Sequence, residues 1–404
     1  MPLQGSEGDL RAGDGAPGGL GPKGVRRRGR PDGRLGLVVS TFRYANPGVI
    51  HWGPGCVPGT IGEELGRLGA SRVFLVTTRS VVNDPRLGGV VESLLGARLC
   101  GRATIEAHAP ARSVGIAAEA ALAARADGLV SLGGGSPVDG AKAVAFTLAT
   151  GLDLRLPEAL VRARGARLSR TLPHLAIPTT LSAAELSSGA GFSAEGTREK
   201  VGVQAPELLP AAVLYDADLA VHTPSPLWLS TGIRAVDHAA ETLLAPGDHP
   251  LPDAAALEGL RRLRAGLLAV HANPGDRAAR TACQVGAWLS YLLPGPAARG
   301  LSHTLGKRIG SRHGIPHGVT SCLLLPHVLR YLAPRFPRAM EEIARALGGV
   351  DASTAVFELV ARLGLPQRLG DWHLSEADLV EAVKPVATAE HPEGELLGIL
   401  RAAL

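Results

Sequence analysis

Aromatic residues are scarce in this 404-residue chain: Phe, Trp and Tyr together make up 3%, and methionine occurs twice. A core of ordinary size must therefore be filled by Ala, Leu and Val, and the 45% hydrophobic content is enough to do so. The four cysteines, Cys56, Cys100, Cys283 and Cys322, show neither CxxC spacing nor the density of a disulfide framework, so reduced thiols are expected. No run of about 18 uninterrupted apolar residues is present, and the amino-terminal segment has no apolar signal core. Neither a membrane span nor a secretory leader is predicted, and the expected compartment is the cytoplasm.

Acidic charge is not in excess either, the formal net charge being +5. The excess is concentrated near the amino-terminus, at Lys23 and at Arg26, Arg27, Arg28, Arg30 and Arg34. Without those residues the chain is close to neutral. It lacks the broad basic face that phosphate-backbone binding needs, so no nucleic-acid partner is expected.

The length accommodates two domains of roughly 100 to 200 residues each. Residues 1–36 are rich in Gly, Arg, Asp and Pro and have almost nothing apolar to bury, which predicts a disordered leader. Beyond them, short apolar runs alternate with helical patterns. Strands are predicted at Arg72 to Thr77, Gly128 to Leu132, His174 to Pro178 and Ala211 to Tyr215, with helices at Ile61 to Leu68 and Ala141 to Thr150. Such alternation implies a parallel sheet covered on both faces. From about residue 220 the pattern is helical, for example Asp253 to His271, Arg277 to Leu293, Pro337 to Leu347 and Ala355 to Leu363. The predicted architecture is an α/β nucleotide-binding domain over 37–219 and an all-helical domain over 220–404.

Three segments carry chemistry. Gly133, Gly134 and Gly135 follow a predicted strand, and Ser136 to Asp139 open a helix; glycines there let main-chain N–H groups approach a pyrophosphate. The helix terminus adds about half a positive charge. The segment Ile177 to Ser182 places the hydroxyls of Thr179, Thr180 and Ser182 at a strand's carboxyl end, where open α/β sheets bind their ligands. A helix N-cap by Thr180 or Ser182, with Glu185 at capping-box distance from Ser182, is the plain structural reading of the same residues. In the helical half, His238 precedes Glu241 by one turn, and His303 and His317 lie beside glycines. Other histidines, His108 and His174 among them, are expected to be structural. Iron or zinc needs three or four nitrogen or oxygen ligands, and three histidines come close to that. However, Arg234, one helical turn before His238, brings a cation to the same face.

These segments, together with Phe42 to Tyr44, Trp52 to Gly55, Leu214 to Leu219 and Leu325 to Val328, resemble the iron-containing alcohol dehydrogenase superfamily, in finer detail its maleylacetate reductase branch. The likeness covers about Phe42 to Tyr331, and the branch is marked by His108 to Pro110, Thr77-Thr78 and Tyr215-Asp216. It implies a Rossmann-like amino-terminal domain and a helical carboxyl-terminal domain, the fold shared with dehydroquinate synthase, with the active site in the cleft between. It further implies that Gly134, Gly135, Ser136 and Asp139 hold the pyrophosphate, Thr179 and Thr180 the nucleotide, and Lys200 the ribose. Metal-dependent members of the superfamily hold iron or zinc with an Asp and a His four apart and with two later histidines. Here His238, His303 and His317 match, and Arg234 replaces the Asp.

A guanidinium repels a metal ion and does not deprotonate. The expectation is therefore an NAD(P)H-dependent reductase of a carbonyl or conjugated keto acid. Arg234, His238, His303 and His317 would be catalytic, with the three histidines as ligands only if a metal is bound. Thr78, with Arg79 beside it, offers no carboxylate to a ribose hydroxyl, which permits NADPH as well as NADH. The partner is a small, carboxylate-bearing substrate, and a homo-oligomer is expected. The rival readings are a metal-dependent alcohol dehydrogenase, a cyclase of the dehydroquinate synthase type, and a non-catalytic relative. The sparse lysines argue against the cyclase, which needs a cationic phosphate cluster.

Overall fold

The computed structural model describes residues 45–195, 200–292 and 300–404. The expected leader, 1–36, lies outside the described residues. The residues from Phe42 to Leu404 form one compact unit.

Eight strands run from β1 (Val49–Trp52) through β2 (Val73–Thr77), β3 (Leu99–Thr104), β4 (Gly128–Gly133), β5 (His174–Pro178), β6 (Gly189–Ser193) and β7 (Lys200–Gln204) to β8 (Ala212–Tyr215). Six of them form a parallel sheet in the order β1-β8-β5-β4-β2-β3. β6 and β7 pair separately as an antiparallel hairpin. The four strands predicted from apolar runs are the inner ones. Edge strands β1 and β3 are half exposed and carry His51, Arg102 and Gly101, so they lack the continuous apolar run by which a buried strand is recognised.

Side chains alternate across the sheet. Phe74, Val76 and Leu129 enter a core beneath α4 (Ala111–Ala123), α5 (Gly135–Thr150) and α6 (Pro157–Ala163). Val73, Leu75, Val130 and Leu132 enter the opposite core with α1 (Cys56–Arg67) and α3 (Val90–Leu95), reached through the short α2 (Arg79–Val82). Between β2 and β4 the strand order reverses: β3 lies outward on one side and β5 and β8 follow on the other. The glycine turn after β4 thus opens at a topological switch point.

Among the described residues no strand follows Tyr215. The remainder is α7 (Ala217–Ala220), α8 (Ser225–Leu243), α9 (Pro250–Ala272), α10 (Arg277–Ser290), α11 (Leu301–His313), α12 (His317–Leu332), α13 (Pro337–Ala346), α14 (Ala352–Arg362), α15 (Glu376–Val383) and α16 (Glu393–Ala402). They share one apolar core running from Trp228 to Ala403, built almost wholly from Ala, Leu, Val and Ile. The four cysteines are free thiols, Cys283 and Cys322 buried and the other two half-buried. No helix among the described residues is long and apolar enough to cross a membrane.

The sheet contains one buried imidazole. His174 begins β5, and its Nε2 lies 2.7 Å from Ser131 Oγ on β4. Burial, and after it the Lys142 cation, push its pKa down to about 3. In the unfolded chain the group takes a proton near 6.5, as histidines do on average. Its contribution to stability is therefore complete above that value and is lost as the pH falls towards 3. Replacing His174 by Gln should make the fall in melting temperature between about pH 6.5 and pH 4 shallower than in the wild type. Parallel melting curves for the two proteins would contradict this.

Candidate active site

A cavity of about 610 Å³ opens between the carboxyl ends of the strands and the helical half. On the sheet side it is lined by Gly135, Ser136 and Asp139 at the start of α5 and by Ser182 after β5. On the helical side it is lined by Arg234 and His238 of α8, His303 and Lys307 of α11, and His317 at the first position of α12. The four expected catalytic residues therefore meet at one cavity.

The cofactor set divides. Gly134 is the N-cap of α5, with no side chain covering the first turn. A methyl group there would lie 3.1 Å from Thr180 Cγ2, so Thr180 backs the turn from beneath. At Gly135 it would lie 3.1 Å from Ser182 Oγ. Thr179 is buried and spends its main chain on the fold, its N–H on Gly133 O at 2.8 Å and its carbonyl on the Thr223 hydroxyl at 2.6 Å. Thr78 is not brought to the cavity: its hydroxyl caps α2, accepting from Val81 N at 3.4 Å. Lys200 begins β7, and its side chain lies outside the described residues. Ser182 does not cap a helix. The turn Ala184–Leu186 that follows is preceded by Ala183 with no side-chain cap, and Glu185 instead accepts from Tyr215 Oη at 2.6 Å. Burial pushes the Glu185 carboxyl up to about 6.

Lys142, fully buried, explains how this wall is held. Its ammonium donates to Ala184 O at 2.9 Å, to Ser187 O at 3.3 Å and to Gly189 O, and pairs with Asp139 Oδ1 at 2.8 Å. Asp139 Oδ2 accepts from Gly191 N at 3.2 Å. The pair thus ties α5 to segment 184–191, which forms the rim. Asp139 serves that clamp, a role its position in the glycine motif alone does not reveal. The uncapped first turn of α5, the close glycines and the Ser136 and Ser182 hydroxyls fit a pyrophosphate.

On α8, Arg234, Asp237, His238 and Glu241 fall at i, i+3, i+4 and i+7, one inward stripe, and all four are buried. Arg234 Nη1 donates to Ser321 Oγ at 3.0 Å and to Asp237 Oδ2 at 3.3 Å. Its Nη2 donates to the His303 ring, with Nε2 at 2.8 Å, and also lies against Nδ1. Asp237 Oδ2 further accepts from Ser321 Oγ at 2.7 Å and Ser302 Oγ at 3.0 Å. Glu241 Oε1 accepts from the His303 N–H at 2.8 Å. Burial raises the pKa of both carboxyls. For Asp237 the Arg234 charge opposes the rise, whereas Glu241, beside Asp237, is pushed up to about 8. At neutral pH the Glu241 carboxyl is thus largely protonated.

Two glycines bring the helices together. A methyl group at Gly318 would lie 2.7 Å from the Ser230 carbonyl, so α12 starts directly on the α8 backbone and carries His317 to the cavity. One at Gly300 would lie 2.7 Å from the Glu241 carboxyl, where α11 begins. His238 stands edge-on to Tyr291, with ring centres 4.9 Å apart, and 5.9 Å from the His303 ring.

The donor set fits a metal poorly. Among the described residues no three His, Cys, Asp or Glu side chains are gathered to hold one, and the His303 ring is occupied by a guanidinium donor. Asp237, Tyr291 and Lys307 join the site without being expected from the sequence, and His108, expected to be structural, lines the cavity. Asp237 was findable, because a buried arginine calls for an anion within one turn.

Two family profiles match in series. Iron-containing alcohol dehydrogenase covers residues 47–217, and the carboxyl-terminal domain of the Fe-containing alcohol dehydrogenase family covers 228–394. The chain belongs to the iron-containing alcohol dehydrogenase family. It is 33% identical over 352 residues to a maleylacetate reductase of Rhizobium sp. (strain MTP-10005), a match covering 87% of this chain and 92% of the relative. It is 34% identical over 313 residues to that of Burkholderia cepacia, covering 76% and 80%. The crystal structure of maleylacetate reductase from Agrobacterium tumefaciens superposes with a TM-score of 0.76 at 30% identity, covering 91% of this chain and 99% of that one. This family member is an NAD(P)-dependent oxidoreductase with an α/β domain followed by a helical domain.

Because Gly135 already meets Ser182, a larger side chain there would fill the space a pyrophosphate needs. Gly135→Val should weaken NADH and NADPH binding at least about tenfold, the scale of one lost close contact, as read by quenching of protein fluorescence. Unchanged affinity would contradict placement of the cofactor on this turn.

Proposed function

We propose that this enzyme reduces a conjugated keto acid, maleylacetate or a close analogue, with NADH or NADPH and without a metal. The observation that carries the reading is the Arg234 guanidinium bonded to the His303 ring at the cavity wall. A fixed cation set against that ring repels a metal ion there. A carboxylate-bearing substrate instead gains from the cation, and the developing negative charge on its carbonyl oxygen gains as well. The cavity lining supports this: Arg234, Lys307 and four histidines face it, and Asp139, paired with Lys142, is the carboxylate among them.

The nicotinamide supplies the hydride when bound. The chain's own residues then have distinct tasks. Arg234 is held by Asp237 and Ser321, so its charge is fixed in place before substrate arrives. His238, His303 and His317 surround the space where a carbonyl oxygen would lie, and one of them delivers the proton that completes reduction. Gly135, Ser136 and Ser182 line the pyrophosphate end, with Gly134, Thr179 and Thr180 behind them. We place Lys200 at the ribose by likeness to the family, and Thr78 with Arg79 at the edge that admits either nicotinamide cofactor. We place the enzyme in the cytoplasm. Among the described residues β1 lies at the edge of the sheet, and Trp52 there is 53% exposed, which supports a homo-oligomer.

Metal-dependent alcohol oxidation is the second reading, favoured by the arrival of His238, His303 and His317 at one cavity. Kinetics separate the two. In the proposed reductase, Arg234→Gln should cost about 2 to 5 kcal/mol of transition-state binding with maleylacetate, and much less with the corresponding uncharged ester. An equal loss on both substrates, or wild-type enzyme that turns over simple alcohols and not maleylacetate, would overturn the proposal.

A further inference from the structure

Between β3 and α4 the chain makes a turn that L-residues adopt reluctantly. His108 and Ala109 are successive non-glycine residues in the left-handed region, with φ of 66° and 48°. Such conformations persist only where the surroundings impose them, and they gather at functional sites. Here they are imposed. Ala109 is fully buried, its N–H bonds to Glu106 O at 3.0 Å, and Pro110 starts α4 immediately after. The His108 N–H donates to Ser136 Oγ at 3.1 Å, fastening the turn to the pyrophosphate end of α5.

The consequence lies in where the ring goes. His108 lines the cavity from the sheet side and meets the His317 ring edge-on across it, with centres 6.1 Å apart and planes at 86°. Glycine would take this turn without strain, so the backbone has no use for an imidazole. The cavity has one: opposite the cationic groups of α8 and α11, His108 is the imidazole on a sheet-side wall that is lined mostly by small residues and hydroxyls and holds Asp139 in its pair with Lys142.

We propose that His108 is a substrate-contacting residue: its imidazole and that of His317 form the two sides of a slot that takes an anionic end of the substrate, opposite the Arg234 charge. This rests on the keto-acid reading above and adds a contact to it. A neutral imidazole donates one N–H to a carboxylate, and its position beside Ser136 puts that contact next to the cofactor end of the cavity.

The test uses His108→Gly and His108→Asn in the full chain. Glycine relieves the strain and asparagine tolerates the left-handed region while keeping a donor. If His108 contacts substrate, His108→Gly keeps or raises the melting temperature and binds NADH within about twofold of wild type, yet loses about 30-fold or more in kcat/KM for maleylacetate, a hydrogen-bond-scale discrimination. His108→Asn should recover part of that loss. Calorimetric titration of the NADH complex with succinate, a non-reacting dicarboxylate, should show weaker binding to His108→Gly than to wild type. A fall in melting temperature with unchanged kcat/KM and succinate affinity would make His108 structural and overturn the inference. Wild type that binds succinate through His108 but does not reduce maleylacetate would leave the slot standing and sink the substrate reading alone.

Discussion

The site depends on one buried ion pair. Arg234 and Asp237 lie three residues apart on α8, nearly out of reach of water, and an unpaired charge at either position would carry a large desolvation cost. Asp237 Oδ2 accepts from Arg234 and from the hydroxyls of Ser302 and Ser321, so the pair joins α8 to the amino-terminal turns of α11 and α12. Those turns carry His303 and His317. The placement of these two histidines is thus a by-product of neutralising a cation inside the helical core. The choice of arginine at this position therefore changes more than one ligand. It brings a hydrogen-bond donor to His303, and it needs an anion that does not face the cavity.

The sheet side is organised by a second buried cation with a different solution. Lys142 has one carboxylate, Asp139, and otherwise main-chain carbonyls. Main-chain oxygens solvate an ammonium well because it offers three donors in rotatable directions. The arrangement pulls segment 184–191 against α5 and leaves Ser182 and Ser136 facing the opening. Each wall of the cleft is therefore pinned by a charge that the fold itself compensates, and Arg234 also faces the opening.

Much of this was legible in the chain itself. Inner strands β2, β4, β5 and β8 stand out because both faces are buried and their residues are mostly apolar. The turn at Gly133 to Gly135 stands out because nothing else between a strand and a helix demands three glycines. The edge strands did not, since half-exposed strands such as Leu99–Thr104 carry mixed residues. The β6–β7 hairpin did not either, being short and glycine-containing. At the site, the histidines and Arg234 were findable from spacing along helices. His108 was not, because its place depends on a strained turn that no periodicity announces. Thr78 illustrates the converse: a hydroxyl in the expected segment that local capping employs for the fold. Asp139 was read as a cofactor ligand, and its engagement with Lys142 depends on a contact across 184–191 that sequence distance conceals.

The proposed reduction turns on Arg234, which the likeness to the family sets where metal-dependent members carry a carboxylate, and on a site that works without a metal. The most direct measurement is elemental analysis of the wild type and of Arg234→Asp, both purified from iron- and zinc-supplemented cultures, with turnover of maleylacetate before and after exhaustive chelation. The account predicts wild-type enzyme with far less than one metal per chain and unchanged turnover after chelation, and an Asp variant that retains metal. Wild-type enzyme that carries one iron or zinc per chain, loses activity on chelation and regains it when the metal is returned would contradict it.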